Sequence, residues 1–318
     1  MGVHIFILIL GLVLVVKGAD WLVAGASSLA KQYNVSDLAI GLTIVAFGTS
    51  APELVVNVFA ASQGTHDIVF GNVIGSNNFN LFIILGIAGV ITPMVVQSTT
   101  AWREIPISLI AVLMVFLLAN PVLFTDKAMV SRLDGIILLA LFLLFLFYVY
   151  KQLKRDEASA EVAVKAWPAW KIWTYIIIGL AGLVLGGRLV VNHAVLIASA
   201  LGVSDKIVGL TIVAAGTSLP ELATSLVAAV RKNNDIAVGN IIGSNIFNIF
   251  LVLGLSAVVS PLHFSEGFNT DLYILGGGTL FLLLAMFTGE RIKIDRWEAA
   301  LLLVFYVGYT VFLLQGAL

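Results

Sequence analysis

The sequence predicts an all-α integral membrane protein: ten transmembrane helices arranged as two inverted five-helix repeats. Three observations carry this. Of 318 residues, 60% are hydrophobic and only 11% are charged, less than half the charge that a water-facing surface carries. The apolar runs are continuous, as in Leu138–Val149 and Leu280–Phe287, whereas a membrane-spanning barrel would alternate polar and apolar residues. Finally, the chain repeats itself. Shifted by 168 positions, Val35–Gly86 lies over Val203–Gly254 without a gap, and 30 of the 52 residues are identical.

A spanning helix needs about 20 residues to cross a hydrocarbon core ~30 Å thick. Apolar runs between charged or turn-rich breaks place the first half's helices at 3–30, 36–62, 67–91, 104–119 and 132–150. The second half follows at 171–200, 205–231, 235–259, 271–288 and 296–315. The first span begins without the basic run of a signal peptide. The breaks fall at Lys31–Ser36, Gln63–His66, Thr92–Arg103 and Asn120–Ser131, each carrying turn or charged residues. Residues 151–170, with Lys151, Lys154, Arg155, Asp156, Glu157, Glu161 and Lys165, form a charged linker too short to fold alone. The organisation is thus a first repeat over 1–150 with its duplicated motif at about 35–86, the linker 151–170, and a second repeat over 171–318 with its motif at about 203–254.

Five helices per half is an odd number, so the second half enters the membrane from the opposite side, a plan common in secondary transporters. Charge fixes the sidedness. With the N-terminus outside, the cytoplasmic loops hold Lys31, Arg103, Lys151, Lys154, Arg155, Lys165, Lys171, Arg231, Lys232, Arg291, Lys293 and Arg296, while the outer side holds only Lys127, Arg132 and Lys206. The positive-inside rule puts both termini outside a multi-pass protein of the plasma membrane. Net charge is −1, which offers nucleic acid no field, and the absence of cysteine removes disulfides, thiolate metal sites and cysteine nucleophiles. Phe6 stands where a myristoylation signal needs Ser or Thr.

Each half carries two polar islands in apolar helix. The first is Gly48-Thr49-Ser50-Ala51-Pro52-Glu53-Leu54, matched by Gly216-Thr217-Ser218-Leu219-Pro220-Glu221-Leu222. The second is Gly71-Asn72-Val73-Ile74-Gly75-Ser76-Asn77-Asn78-Phe79-Asn80, matched by Gly239-Asn240-Ile241-Ile242-Gly243-Ser244-Asn245-Ile246-Phe247-Asn248. Glu53 lies ~25 Å into its span at 1.5 Å per residue, near mid-membrane, and Glu221 is equivalent. A carboxylate there costs about 2.5–3.5 kcal/mol and marks an ion pathway by default. The bland reading is a buried ion pair. However, the intramembrane bases Lys17 and Arg188 align with Leu185 and Asp20, so no cation is duplicated alongside the two acids.

Pro52 and Pro220 each remove an N–H and clash with the carbonyl four residues back, at Gly48 and Gly216, which loosens carbonyls near 46–48 and 214–216. A simple proline kink is the alternative. Thr49 with Glu53, and Asn72, Ser76 and Asn80, stand four residues apart on shared faces, as do Thr217 with Glu221, and Asn240, Ser244 and Asn248. Gly71 with Gly75 and Gly239 with Gly243 permit close helix approach, and Asn72, Asn77, Asn240 and Asn245 read as interhelical hydrogen bonders. The donors are all oxygen, and no histidine or sulfur lies in either motif, so the set suits hard cations such as Na⁺ and Ca²⁺. Two carboxylates are neutralised by one Ca²⁺ or two Na⁺. An empty site would leave like charges in low dielectric, which is a physical basis for obligatory exchange.

Gly-Thr-Ser-x-Pro-Glu-Leu with Gly-Ser-Asn-x-Phe-Asn, present twice, resembles the α-repeats of the sodium/calcium exchanger family, and the ten-helix plan is similar to its short prokaryotic members. The resemblance implies cation ligands at Ala46 (through its carbonyl), Thr49, Ser50 and Glu53, at Ala214, Thr217, Ser218 and Glu221, and at Ser76, Asn80, Ser244 and Asn248. It implies Na⁺ and Ca²⁺ as transported ions with membrane lipid as surroundings, no cofactor, and function as a monomer. It also implies three Na⁺ exchanged for one Ca²⁺, and alternating access by sliding of the first helix of each half. Some relatives, including potassium-dependent exchangers, carry Asp where Asn248 stands, so K⁺ coupling is a second choice, as is proton coupling. A cation channel and a membrane enzyme are the rival classes. The in-chain repeat around two buried acids disfavours the channel. The lack of triad spacing or a nucleotide motif disfavours the enzyme. The four histidines read as passive.

Overall fold

The computed structural model describes residues 2–121, 128–157, 167–201, 214–288 and 292–317. In chain order these form α1 (Gly2–Gln32), α2 (Asp37–Thr49), α3 (Ala51–Ser62), α4 (His66–Ile91), β1 (Met94–Val95), α5 (Thr100–Ala119), β2 (Met129–Val130) and α6 (Arg132–Glu157). Then follow α7 (Ala169–Ala200), α8 (Ala214–Thr217), α9 (Leu219–Val230), α10 (Asn234–Val259), β3 (Leu262–His263), α11 (Phe268–Ala285), β4 (Lys293–Ile294) and α12 (Arg296–Ala317).

Among the described residues, seven helices are long and apolar enough to cross a membrane, or eight if the bent pair α2–α3 is one span. Ten spans were expected. Of the expected 205–231, residues 205–213 lie outside the described residues, and α8 and α9 are its described part. Lys127, Lys165, Lys206 and Arg291, used for the charge asymmetry, also lie outside. The expected 296–315 is the 22-residue α12. Helix α6 runs past 150 to Glu157, because the segment Lys151–Glu157 is rich in good helix formers.

The two longest helices, α1 and α7, make the most extensive pairing in the molecule. They run antiparallel, with His4 against His193 and Gly18 against Gly179 and Gly182. Glycines let the backbones meet: a Cβ on Gly18 would stand 2.7 Å from Leu183 N, and one on Gly179 2.7 Å from Leu22 N. Such small-residue seams replace the hydrophobic drive that lipid removes. The other helices surround the two most buried ones, α4 and α10. Two short antiparallel ladders tie the loops, β1 with β4 and β2 with β3.

Among the described residues, four turns widen to i→i+5 hydrogen bonding: Gly41–Val45, Phe79–Ile84, Thr100–Glu104 and Asn248–Leu253. Such turns interrupt the ladder and cluster at functional sites. Here two of them contain Asn80 and Asn248.

Candidate cation site

Proline sets the local backbone. Pro52 and Pro220 sit at the start of α3 and α9, where a missing N–H costs little. The chain therefore breaks and restarts rather than kinking. Ser50 (φ −85°, ψ 3°) and Ser218 (φ −89°, ψ 9°) leave helical geometry, and α2 meets α3 at 48°. The break places Thr49, Ser50 and Glu53, and likewise Thr217, Ser218 and Glu221, at helix ends facing α10 and α4.

Glu53 and Glu221 are each 1% exposed. The hydroxyl of Ser50 donates to Glu221 Oε1 across the two halves at 3.0 Å. Both oxygens of Glu53 and Oε2 of Glu221 have no hydrogen-bond partner. Among the described residues the ion pairs are Asp20 with Arg231 and Asp295 with Lys293, so neither glutamate is neutralised by a base. Lys17 and Arg188 are exposed.

The second islands supply more free acceptors. Asn80 Nδ2 donates to Asn245 Oδ1 at 3.0 Å, and Asn248 Nδ2 donates to Asn77 Oδ1 at 3.1 Å. Each bond turns the amide so that its own Oδ1 points away, buried and unpartnered. The hydroxyls of Ser76, Ser218 and Ser244 are buried and unpartnered too. Leaving a buried polar group unsatisfied costs about 1–3 kcal/mol. Seven such residues from both halves (Glu53, Glu221, Asn80, Asn248 and the three serines) leave buried acceptor oxygens free, a set of hard donors that suits a cation.

Other expected ligands are already engaged. Thr49 Oγ1 donates toward Val45 O, Ala46 O and Asn240 Oδ1 at 3.1–3.3 Å, and Thr217 Oγ1 accepts from Asn72 Nδ2 at 3.2 Å. The carbonyl of Ala46 accepts from Ser50 N at 3.0 Å as well as from Thr49, so it is less free than the proline argument suggested. Ala214 opens α8. All four asparagines read as interhelical hydrogen bonders make such bonds. Asn77 and Asn245 exchange them reciprocally, side chain to backbone, at 3.2 and 3.4 Å. Sequence reasoning missed Asn57 and Ser225, which hold Asn72 and Asn240. They stand four residues after the glutamates on the same faces, and that spacing was the available signal.

One face of the site opens to a crevice of about 350 Å³ between α7 and α3, lined by Pro52, Val55, Arg188, Val191, Gly216 and Thr217, among others. The corresponding place beside α1 is closed. There α1 packs on α9, Val23 is 1% exposed, and Thr49 and Thr224 are fully buried. Asp20 of α1 pairs with Arg231 at the end of α9, and Asn233 donates to Ser27 at 2.9 Å and to Asp37 at 2.7 Å.

The sequence model of the family described as "Sodium/calcium exchanger protein" matches residues 3–151 and 171–315. The chain is 35% identical over 350 residues to the sodium/calcium exchanger MaX1 of Methanosarcina acetivorans, covering 98% of each protein. It is 35% identical over 307 residues to the membrane protein MJ0091 of Methanocaldococcus jannaschii, covering 96% of each. The solved sodium-calcium exchanger NCX_Mj, soaked with zero Na⁺ and Ca²⁺, superposes with a TM-score of 0.82 at 34% identity over 98% of both chains.

Proposed function

Because this chain belongs to the sodium/calcium exchanger family, we propose that it exchanges Na⁺ for Ca²⁺ at the oxygen cluster between α2–α3, α4, α8–α9 and α10. It is an integral multi-pass membrane protein and a cation/Ca²⁺ antiporter; the coupling ion, stoichiometry and site are the proposal. The observation that carries it is the set of buried acceptors left without donors around two acids that no base neutralises. Ca²⁺ sits between Glu53 and Glu221. Na⁺ ions occupy that position and the two flanking ones, one offered by Thr49, Ser50, Ser76, Asn80 and the Ala46 carbonyl, the other by Thr217, Ser218, Ser244, Asn248 and the Ala214 carbonyl. Ala46 takes part when the Thr49 proton turns to Asn240.

Three Na⁺ leave for each Ca²⁺ bound, so one net charge moves per cycle. The neutral amides at 80 and 248 hold the site at −2 and favour Na⁺ over K⁺ or H⁺ as the coupling ion. The ten-helix inverted plan, with repeats over 1–150 and 171–318, is supported by two contacts. Helices α1 and α7 run antiparallel, and β1 pairs with β4. In the positive-inside arrangement, the loop after the third helix and the loop before the tenth lie on the same side only if the second half is inverted. Both termini are then extracellular in a plasma-membrane monomer, and the crevice beside Arg188 opens outward. A crevice open on one side and sealed by α1 on the other favours alternating access over a through-going pore.

The test is ⁴⁵Ca²⁺ uptake into Na⁺-loaded proteoliposomes. Uptake that requires internal Na⁺ and collapses when external Na⁺ removes the gradient is expected. Uptake indifferent to Na⁺ contradicts the exchange.

A further inference from the structure

The two halves carry the same threonine and asparagine at the site, Thr49 with Asn72 and Thr217 with Asn240, but differ at one supporting position: Asn57 corresponds to Ser225. That difference propagates. Asn57 Nδ2 donates to the backbone carbonyl of Glu53 at 2.7 Å and to Asn72 Oδ1 at 2.6 Å. A carbonyl only accepts, so the Asn57 amide must present its NH₂ there, and Asn72 must meet that NH₂ with its oxygen. The Asn72 Nδ2 is thereby turned onto Thr217 Oγ1. In the second half a hydroxyl replaces the amide. Asn240 Nδ2 donates to Ser225 Oγ at 2.9 Å and to the Glu221 carbonyl at 3.3 Å, which leaves its Oδ1 facing Thr49.

The two threonines therefore have opposite polarity. Every contact of the Thr49 hydroxyl is one it donates, to Val45 O, Ala46 O, Asn240 Oδ1 or the Glu221 carboxylate, so both of its lone pairs are free. The Thr217 oxygen has one lone pair taken by an amide N–H, which leaves it less to offer a cation. Resting on the exchange reading above, we propose that Asn57 and Ser225 are positioning residues that make the two threonine cation positions unequal. The Thr49 position binds more tightly. The Thr217 position, which lines the outward crevice, binds more weakly and releases its ion first. Charge and residue type at the ligands are the same in both halves, so this polarity breaks their equivalence.

Exchanging the supports should exchange the polarity. Asn57→Ser gives Asn72 an acceptor, turns its oxygen to Thr217 and strengthens that position. Ser225→Asn does the reverse to Thr49. The probe is Na⁺: its half-saturating concentration for driving ⁴⁵Ca²⁺ release, and the concentration that gives a fixed rise in the melting temperature of the purified protein. Asn57→Ser is expected to lower both by about three- to tenfold, the worth of one redirected hydrogen bond. Ser225→Asn should raise both, and the double variant should return toward native values. Purely structural supports would instead weaken Na⁺ in both variants and accumulate in the double. That result, or unmoved half-saturation in an active Asn57→Ser variant, overturns the proposal. Asn57→Ser only removes volume, so it carries the test alone if Ser225→Asn does not fold. Native protein without Na⁺-dependent Ca²⁺ flux would overturn the exchange reading itself.

Discussion

Glu53→Gln keeps the shape of the site and removes one of its two charges. A unit charge pair at 4 Å and an effective dielectric of 20 is worth about 4 kcal/mol, so a divalent ion beside Glu53 stands to lose up to about 8 kcal/mol and a monovalent ion about 4. The amide oxygen still coordinates and recovers part of each. The difference between the ions remains about 4 kcal/mol, near a thousandfold in relative affinity. Stability moves the other way. Burying a carboxylate at mid-membrane costs about 2.5–3.5 kcal/mol, and both Glu53 oxygens lack a donor, so the ion-free variant should melt higher than the ion-free native protein. Because a ligand that binds only the folded state stabilises it by RT ln(1 + [L]/Kd), melting curves in detergent against Ca²⁺ and Na⁺ read both effects. Expected are a raised ion-free melting temperature, no Ca²⁺-induced rise at concentrations that saturate the native protein, a retained response to high Na⁺, and no exchange in vesicles. A native Ca²⁺ response in Glu53→Gln would refute the reasoning, and the same holds for Glu221→Gln.

Exchange of three Na⁺ for one Ca²⁺ moves one charge, worth ~2.3 kcal/mol per 100 mV. Clamping vesicles at opposite potentials should therefore change the initial rate, and equal rates would contradict that stoichiometry. The chain has no cysteine, so introduced thiols report access cleanly. Val191→Cys, in the crevice, should react with an impermeant maleimide from outside, while Val23→Cys, 1% exposed beside α1, should not react until Asp20→Asn loosens the α1–α9 contact. Labelling of Val23→Cys in an otherwise native background would show that side to be open already. Gly18→Leu forces side-chain atoms against Leu183 N and Gly179 O, an overpacking cost of about 1–3 kcal/mol or more; it should lower the melting temperature and separate α1 from α7, and an unchanged melt would mean that the seam is not tight.

The acids and amides of the candidate site were more legible than their supports. Two buried acids in duplicated Thr-Ser-x-Pro-Glu islands were readable because charge at membrane depth is costly and rarely survives without a role. The asparagine bonds at 72, 77, 240 and 245 were readable because small-residue spacing brings their helices together. What stayed hidden depends on direction rather than presence. Composition does not tell that Pro52 ends one helix and starts another, that the turns holding Asn80 and Asn248 widen, or which way each amide faces. Ser225 and Asn57 look like ordinary helix residues until the carbonyls of Glu221 and Glu53 give them partners. The glycine seam of α1 and α7 was equally invisible, because its partners lie about 160 residues apart and meet only once the halves are packed.

In the proposed exchange, the unpartnered oxygens hold the transported ions. A crystal of the purified protein soaked with Ca²⁺ tests it directly through anomalous difference density. The account predicts one strong peak between Glu53 and Glu221, with carboxylate oxygens of both residues at about 2.3–2.6 Å, that disappears when Na⁺ is raised and is absent in Glu53→Gln. A well-diffracting Ca²⁺-saturated crystal with no ion there, or with its ion bound at oxygens outside the two islands, would contradict it.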